Sequence, residues 1–78
     1  MQRKLHQKSE LLVLFGEIIR DIRKEKDLSQ EELADKAGVH RTYIGMIERG
    51  EKNITLENIN KLSKALQTTI YELFLKLK

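Results

Sequence analysis

QEELADKAGVHRTYIGMIERG, residues 30–50, contains two helix-length pieces divided by one glycine, Gly38. Each piece is shorter than the dozen or so residues that an isolated helix needs in water, so both must lean on the rest of the chain. Gly38 is the cheapest residue for a positive φ and a sharp turn. Two short helices joined by such a turn pack at a steep angle, the geometry of a helix-turn-helix. Just past the break, His40, Arg41, Thr42 and Tyr43 crowd the start of the second piece. A helix N-terminus carries unpaired N–H groups and partial positive charge, so it suits a phosphate or an acceptor-rich groove. The major groove of duplex DNA is wide enough to admit a helix.

Outward from this pair, the apolar spacing predicts three more helices. The first runs from about Ser9 to Lys26, with Ser9 as N-cap, a buried stripe of Phe15, Ile18 or Ile19, and Ile22, and Asp27 as its stop. Ser29-Gln-Glu-Glu32 is a capping box opening the second helix, which turns Leu33, Ala34 and Ala37 inward. The third covers about 40–49, with Ile44, Ile47 and part of Tyr43 inside, and ends at Gly50. After a loop at Glu51–Ile54, Thr55 caps a fourth helix, Leu56–Leu66, whose apolar set is Leu56, Ile59, Leu62, Ala65 and Leu66. Thr69-Ile-Tyr-Glu72 reads as another capping box, opening a fifth helix. That helix is apolar over more of its circumference than one small core can use: Ile70, Tyr71, Leu73, Phe74 and Leu77 are expected at a homodimer interface.

Composition agrees with an all-α domain. There is no proline, and strand-type alternation is missing throughout. With 78 residues and no cysteine, the core is small and has no disulfide or thiolate zinc site to support it, which again favours a second copy. The longest apolar run, LLVLF at 11–15, is far too short to cross a bilayer and is followed by no signal-peptide cleavage site. A cytoplasmic protein is expected. Residues 1–8, with Arg3, Lys4 and Lys8, read as a basic arm or helix extension ahead of the domain at 9–78. The formal charge of +3 permits a polyanionic partner without requiring one. No glycine-rich phosphate loop, His-Glu-x-x-His motif or nucleophile–base pair is present, so neither catalysis, cofactor nor metal is expected.

The run LSQEELADKAGVHRTYIGMIERG resembles the Cro/C1-type (XRE) helix-turn-helix regulators. Gln30, Leu33-Ala34, Gly38, Ile44 and Ile47-Glu48-Arg49-Gly50 carry the likeness, which extends over about 15–74. Within that family, HRTYIGMIERGEKNITLENINKLSKAL is most similar to the controller proteins of restriction–modification systems. The resemblance implies a compact five-helix, phage-repressor-like domain and a homodimer on a two-fold symmetric operator in bacterial or phage DNA. RNA polymerase is a further candidate partner. The recognition helix would lie at about 40–49 and the dimerisation region at about 56–78.

The resemblance also implies roles for single residues. Arg41 falls at a base-facing position, where arginine grips guanine O6 and N7. Thr42 beside it suits a base edge or a thymine methyl. Gly45 and Met46, one turn on, are expected on the same exposed face, where the family often has longer polar side chains; this departure shifts weight towards DNA shape. Gln30, His40 and Tyr43 align with phosphate-contacting positions, and Arg49, Lys52 and Asn53 follow as backbone clamps. Arg23 and Glu48 align with a partly buried salt bridge. Two other readings use the same residues: a phage-type repressor or antitoxin-like regulator, or a helical protein-interaction module in which the third helix is scaffold and DNA is not bound.

Overall fold

A computed structural model describes residues 9–77 of the chain, and the basic segment 1–8 lies outside the described residues. Five helices follow one another: α1 Glu10–Glu25, α2 Gln30–Ala37, α3 Arg41–Glu48, α4 Leu56–Ala65 and α5 Ile70–Leu75. Among the described residues there is no strand.

Every helix opens on a side-chain cap. Ser9, Ser29, Thr55 and Thr69 each accept a backbone N–H three residues on, which satisfies one of the orphan donors of the first turn. At α2 the box closes: Glu32 Nα donates to Ser29 Oγ at 2.9 Å, and the Ser29 N–H to Glu32 Oε1 at 2.8 Å. At α5 it does not. The Glu72 carboxylate instead accepts the Thr68 hydroxyl at 2.6 Å, so the expected reciprocal box is half made.

The ends of the first four helices share one device, a residue of positive φ followed by a backbone bond reaching five residues back. Asp27, Gly38, Gly50 and Gln67 have φ of 57°, 73°, 74° and 59°. The N–H groups of Leu28, Val39, Glu51 and Thr68 then donate to the carbonyls of Arg23, Ala34, Met46 and Ser63. Four sharp turns fold the helices onto one another.

The core is built by α1, α2, α3, α4 and one residue of α5: Ile19, Leu33, Ile44, Leu66 and Leu73 are fully buried, with Ile47 and Leu62 nearly so. α2 packs on α3 and α4, α1 on α3, and α4 on α5. Close approach of α1 to α3 depends on Gly16, where an added Cβ would run into the Ile47 carbonyl oxygen and stand 2.8 Å from that of Glu48.

Three residues depart from the sequence reading. Leu56 is 65% exposed, because the first turn of α4 projects beyond the core. Leu73, expected at a dimer interface, is 0% exposed and belongs to the monomer core. Gly45, expected on the open face of α3, is buried, because the side chains of Arg49 and Gln30 lie over it.

Candidate nucleic-acid interface

His40, in extended conformation, is the N-cap of α3, and its Nδ1 accepts the Thr42 N–H at 3.1 Å. That bond occupies one ring nitrogen and leaves Nε2 as the donor facing outward. Arg41 and Thr42 follow in the first turn, both exposed. A shallow concavity of about 210 Å³ joins His40 and Arg41 to Glu31 and Asp35 of α2. Tyr43 turns half inward. Its ring packs on the core, and its hydroxyl accepts from Asn58 Nδ2 of α4 at 2.8 Å, keeping its own hydrogen to donate.

The other end of α3 is tied down by charge. Arg23 Nε and Nη2 donate to Glu48 Oε2 and Oε1 at 2.6 and 3.1 Å, a bidentate pair in which both residues are buried. Arg23 Nη1 donates to the Leu28 carbonyl at 2.8 Å, while the Leu28 N–H donates back to the Arg23 carbonyl. Gln30 Nε2 donates to Glu48 Oε1 at 3.0 Å. One arginine and one glutamate thus link α1, the turn after it, the start of α2 and the last turn of α3. Every buried polar side-chain atom among the described residues is satisfied, as a low-dielectric network requires.

Gln30 and Arg49 meet over Gly45: a Cβ there would stand 3.7 Å from Gln30 Oε1 and 3.1 Å from Arg49 Nη1. The Arg49 guanidinium is held by Glu51, with Nε–Oε2 at 3.0 Å and Nη2–Oε1 at 3.2 Å. The hydrogen bond and charge of Glu51 raise the Arg49 pKa above its ordinary value. Met46 is partly buried. Lys52 is exposed in the loop beyond α3. Asn53 is exposed too, but it stands on the rim of an apolar groove of about 300 Å³ between α1, α4 and α5. Leu12, Phe15, Ile54, Ile59, Phe74 and Leu77 wall that groove.

The structure therefore gathers Gln30, His40, Arg41, Thr42, Tyr43, Met46 and Arg49 around α3, and sets Asn53 apart from them. Two participants went unread in the sequence. Asn58, the partner of Tyr43, sits on another helix, and Glu51 pairs across a spacing of two that no helical periodicity marks.

This arrangement of two short helices, a left-handed glycine between them and an exposed polar first turn on the second coincides with a family model. The model for the helix-turn-helix matches residues 19–73. The chain belongs to the helix-turn-helix family. Control protein C.BamHI of Bacillus amyloliquefaciens is 54% identical over 55 residues, which cover 69% of this chain and 68% of that protein. The restriction–modification controller protein C.AhdI from Aeromonas hydrophila has a structure similar to this one, with a TM-score of 0.79 and 49% identity over 81% of this chain and 96% of that one. Controller protein C.Esp1396I, solved as a tetramer in complex with its natural 35 base-pair operator, gives a TM-score of 0.84 at 37% identity, covering 90% of this chain and 92% of that one. The all-α fold of this helix-turn-helix domain is thus that of restriction–modification controller proteins. No helix among the described residues is long and apolar enough to cross a membrane.

Proposed function

We propose that this chain is a sequence-specific, double-stranded DNA-binding transcriptional regulator that acts as a homodimer, the controller protein of a restriction–modification system. The observation that carries the reading is the first turn of α3. Arg41 and Thr42 are exposed on a short helix whose far end is locked to α1 and α2 through Glu48. A rigid mount for exposed donors is what base readout needs, since discrimination rests on fixed hydrogen-bond geometry.

In this reading Arg41 grips guanine, while Thr42 and Met46 touch base edges or thymine methyls. Gly45 contributes no side chain to readout; it makes room for its neighbours. His40 Nε2, the Tyr43 hydroxyl, Arg49 and Lys52 hold phosphates. Gln30 is half-used by Glu48 and has its remaining amide hydrogen for a phosphate. Asn53 reaches DNA at the edge of the interface, if the groove beside it is closed by a partner copy. That copy would cover the exposed Tyr71, Phe74 and Leu75, together with Ile70 and Leu77 at the rim. RNA polymerase, operator symmetry and a cytoplasmic location belong to the same reading.

The experiment is an electrophoretic mobility shift against a random-sequence duplex pool, followed by titration of the recovered duplex at several salt concentrations. Retention of a defined sequence is expected, with log affinity falling linearly in log salt. If the protein retains no duplex even at low salt, the protein-interaction reading replaces this one.

A further inference from the structure

The C-terminal end of α3 shows a feature that DNA binding alone does not explain. A carboxylate, Glu51, stands beside a cation proposed to meet DNA, and their pairing is built in by the backbone. Gly50 takes a φ of 74°, and the Glu51 N–H closes the helix end on the Met46 carbonyl at 2.8 Å. Gly50 is itself pressed on α1, where an added Cβ would meet the Val13 Cγ2 at 2.8 Å. Glu51 therefore has a fixed origin for its side chain. It engages the guanidinium from one side, through Nε and Nη2, and this geometry lays Nη1 across Gly45. Two of the five guanidinium hydrogens are used, and the rest remain available. The side chains of Arg49 and Glu51 are 56% and 38% exposed, so a ligand can reach the pair.

We propose that Glu51 is a specificity-determining residue, which restrains Arg49 over Gly45 and offsets its charge so that the site discriminates against unselected DNA. Two physical effects act together. A free arginine on a flexible stem finds a phosphate on any sequence, whereas a paired one carries little net charge and gains less from a generic backbone. An arginine already lying on the DNA-facing surface of α3 loses less side-chain entropy when the correct groove shape arrives. Gly45 is the third member. A Cβ at that position would stand 3.1 Å from Arg49 Nη1 and push the guanidinium out by a few tenths of an ångström, so the glycine's contribution is the space it leaves.

The inference rests on the DNA-binding reading above, and its test separates the two. Glu51→Gln keeps the size and removes the charge. Affinities of wild type and Glu51→Gln are measured on the duplex recovered from the random pool and on a shuffled duplex of equal length, over a range of salt. Glu51→Gln is expected to tighten the shuffled duplex about two- to fivefold, the scale of an exposed ion pair, and to tighten the recovered duplex less. The selectivity ratio then falls, and the salt slope on shuffled DNA steepens by about one unit per protomer, for one added phosphate contact from each. An unchanged or increased ratio overturns the proposal. Gly45→Ala supplies a second arm that folding defects do not confuse, because its Cβ meets the tip of a flexible side chain rather than backbone. It is expected to weaken the recovered duplex severalfold with no loss of thermal stability. Unaltered binding by Gly45→Ala contradicts the role given to Arg49. Failure of wild type to bind any duplex would instead reject the functional reading itself.

Discussion

Glu48 is the residue on which the orientation of α3 depends. It is 6% exposed and accepts from Arg23 twice and from Gln30 once. Its removal leaves Arg23, itself 9% exposed, with the Leu28 carbonyl and no counter-charge. Breaking one side of a buried pair costs about 3–5 kcal/mol, a large share of the stability of so small a domain. Glu48→Ala should therefore lower the melting temperature steeply in a thermal scan followed by circular dichroism. Glu51→Ala, at an exposed pair, should hardly move it. Equal shifts would mean that the burial of Glu48 contributes nothing. The same residue-level view explains why its position was open to the sequence and that of Glu51 was not. Glu48 aligns with a family salt bridge, whereas the Arg49–Glu51 contact depends on the backbone turn at Gly50, and no residue pattern encodes that turn's side-chain outcome.

At the scale of elements, the helices were legible because most carry a start or a stop signal of their own. Ser9, Ser29, Thr55 and Thr69 announce the starts, and Gly38, Gly50 and Asp27 the stops. Gln67, the fourth left-handed residue, was not legible, since glutamine has no special tolerance of positive φ, and the Thr68 N–H bond to the Ser63 carbonyl closes the turn there. The open face of α3 was misjudged for a similar reason. The family resemblance puts Gly45 outside, but it cannot foresee two long side chains folding back over a glycine. The inside of α5 was also only half-read: Leu73 and Phe74 are equally apolar, yet Leu73 is sealed in the core and Phe74 is 44% exposed. How elements approach one another makes a prediction with an unusual sign. Helix propensity alone makes Gly16→Ala stabilising by about 0.5–1 kcal/mol. Here the new methyl would strike the carbonyls of Ile47 and Glu48, which cannot move without opening the end of α3. Gly16→Ala should destabilise instead, by about 1–3 kcal/mol as overpacking does. Chemical denaturation measures this, and a stabilised variant would refute the tight α1–α3 contact.

For the whole molecule, the question is what covers the exposed side chains of α5 and α1. Leu11, Tyr71, Phe74 and Leu75 are 60%, 70%, 44% and 48% exposed, and Leu11 and Phe74 line the groove of about 300 Å³. Exposed apolar side chains on a 78-residue chain are where the proposed second copy would dock. A two-fold dimer built there should sediment as a dimer at micromolar concentration, and Phe74→Ala should raise the dissociation constant about tenfold or more. A monomer unaffected by that change would rule out this face. Dimerisation would carry two α3 helices to half-sites about 34 Å apart, one turn of duplex. Everything in the molecule then converges on whether the first turn of α3 reads bases. The most direct measurement is a titration of wild type and Arg41→Ala against the recovered and the shuffled duplex at several salt concentrations. If Arg41 reads guanine, Arg41→Ala loses about 1–3 kcal/mol per half-site on the recovered duplex, relaxes the preference at one base pair, and leaves shuffled DNA little changed. If both duplexes weaken equally, Arg41 is a phosphate anchor, and the polar first turn of α3 is not a reading head.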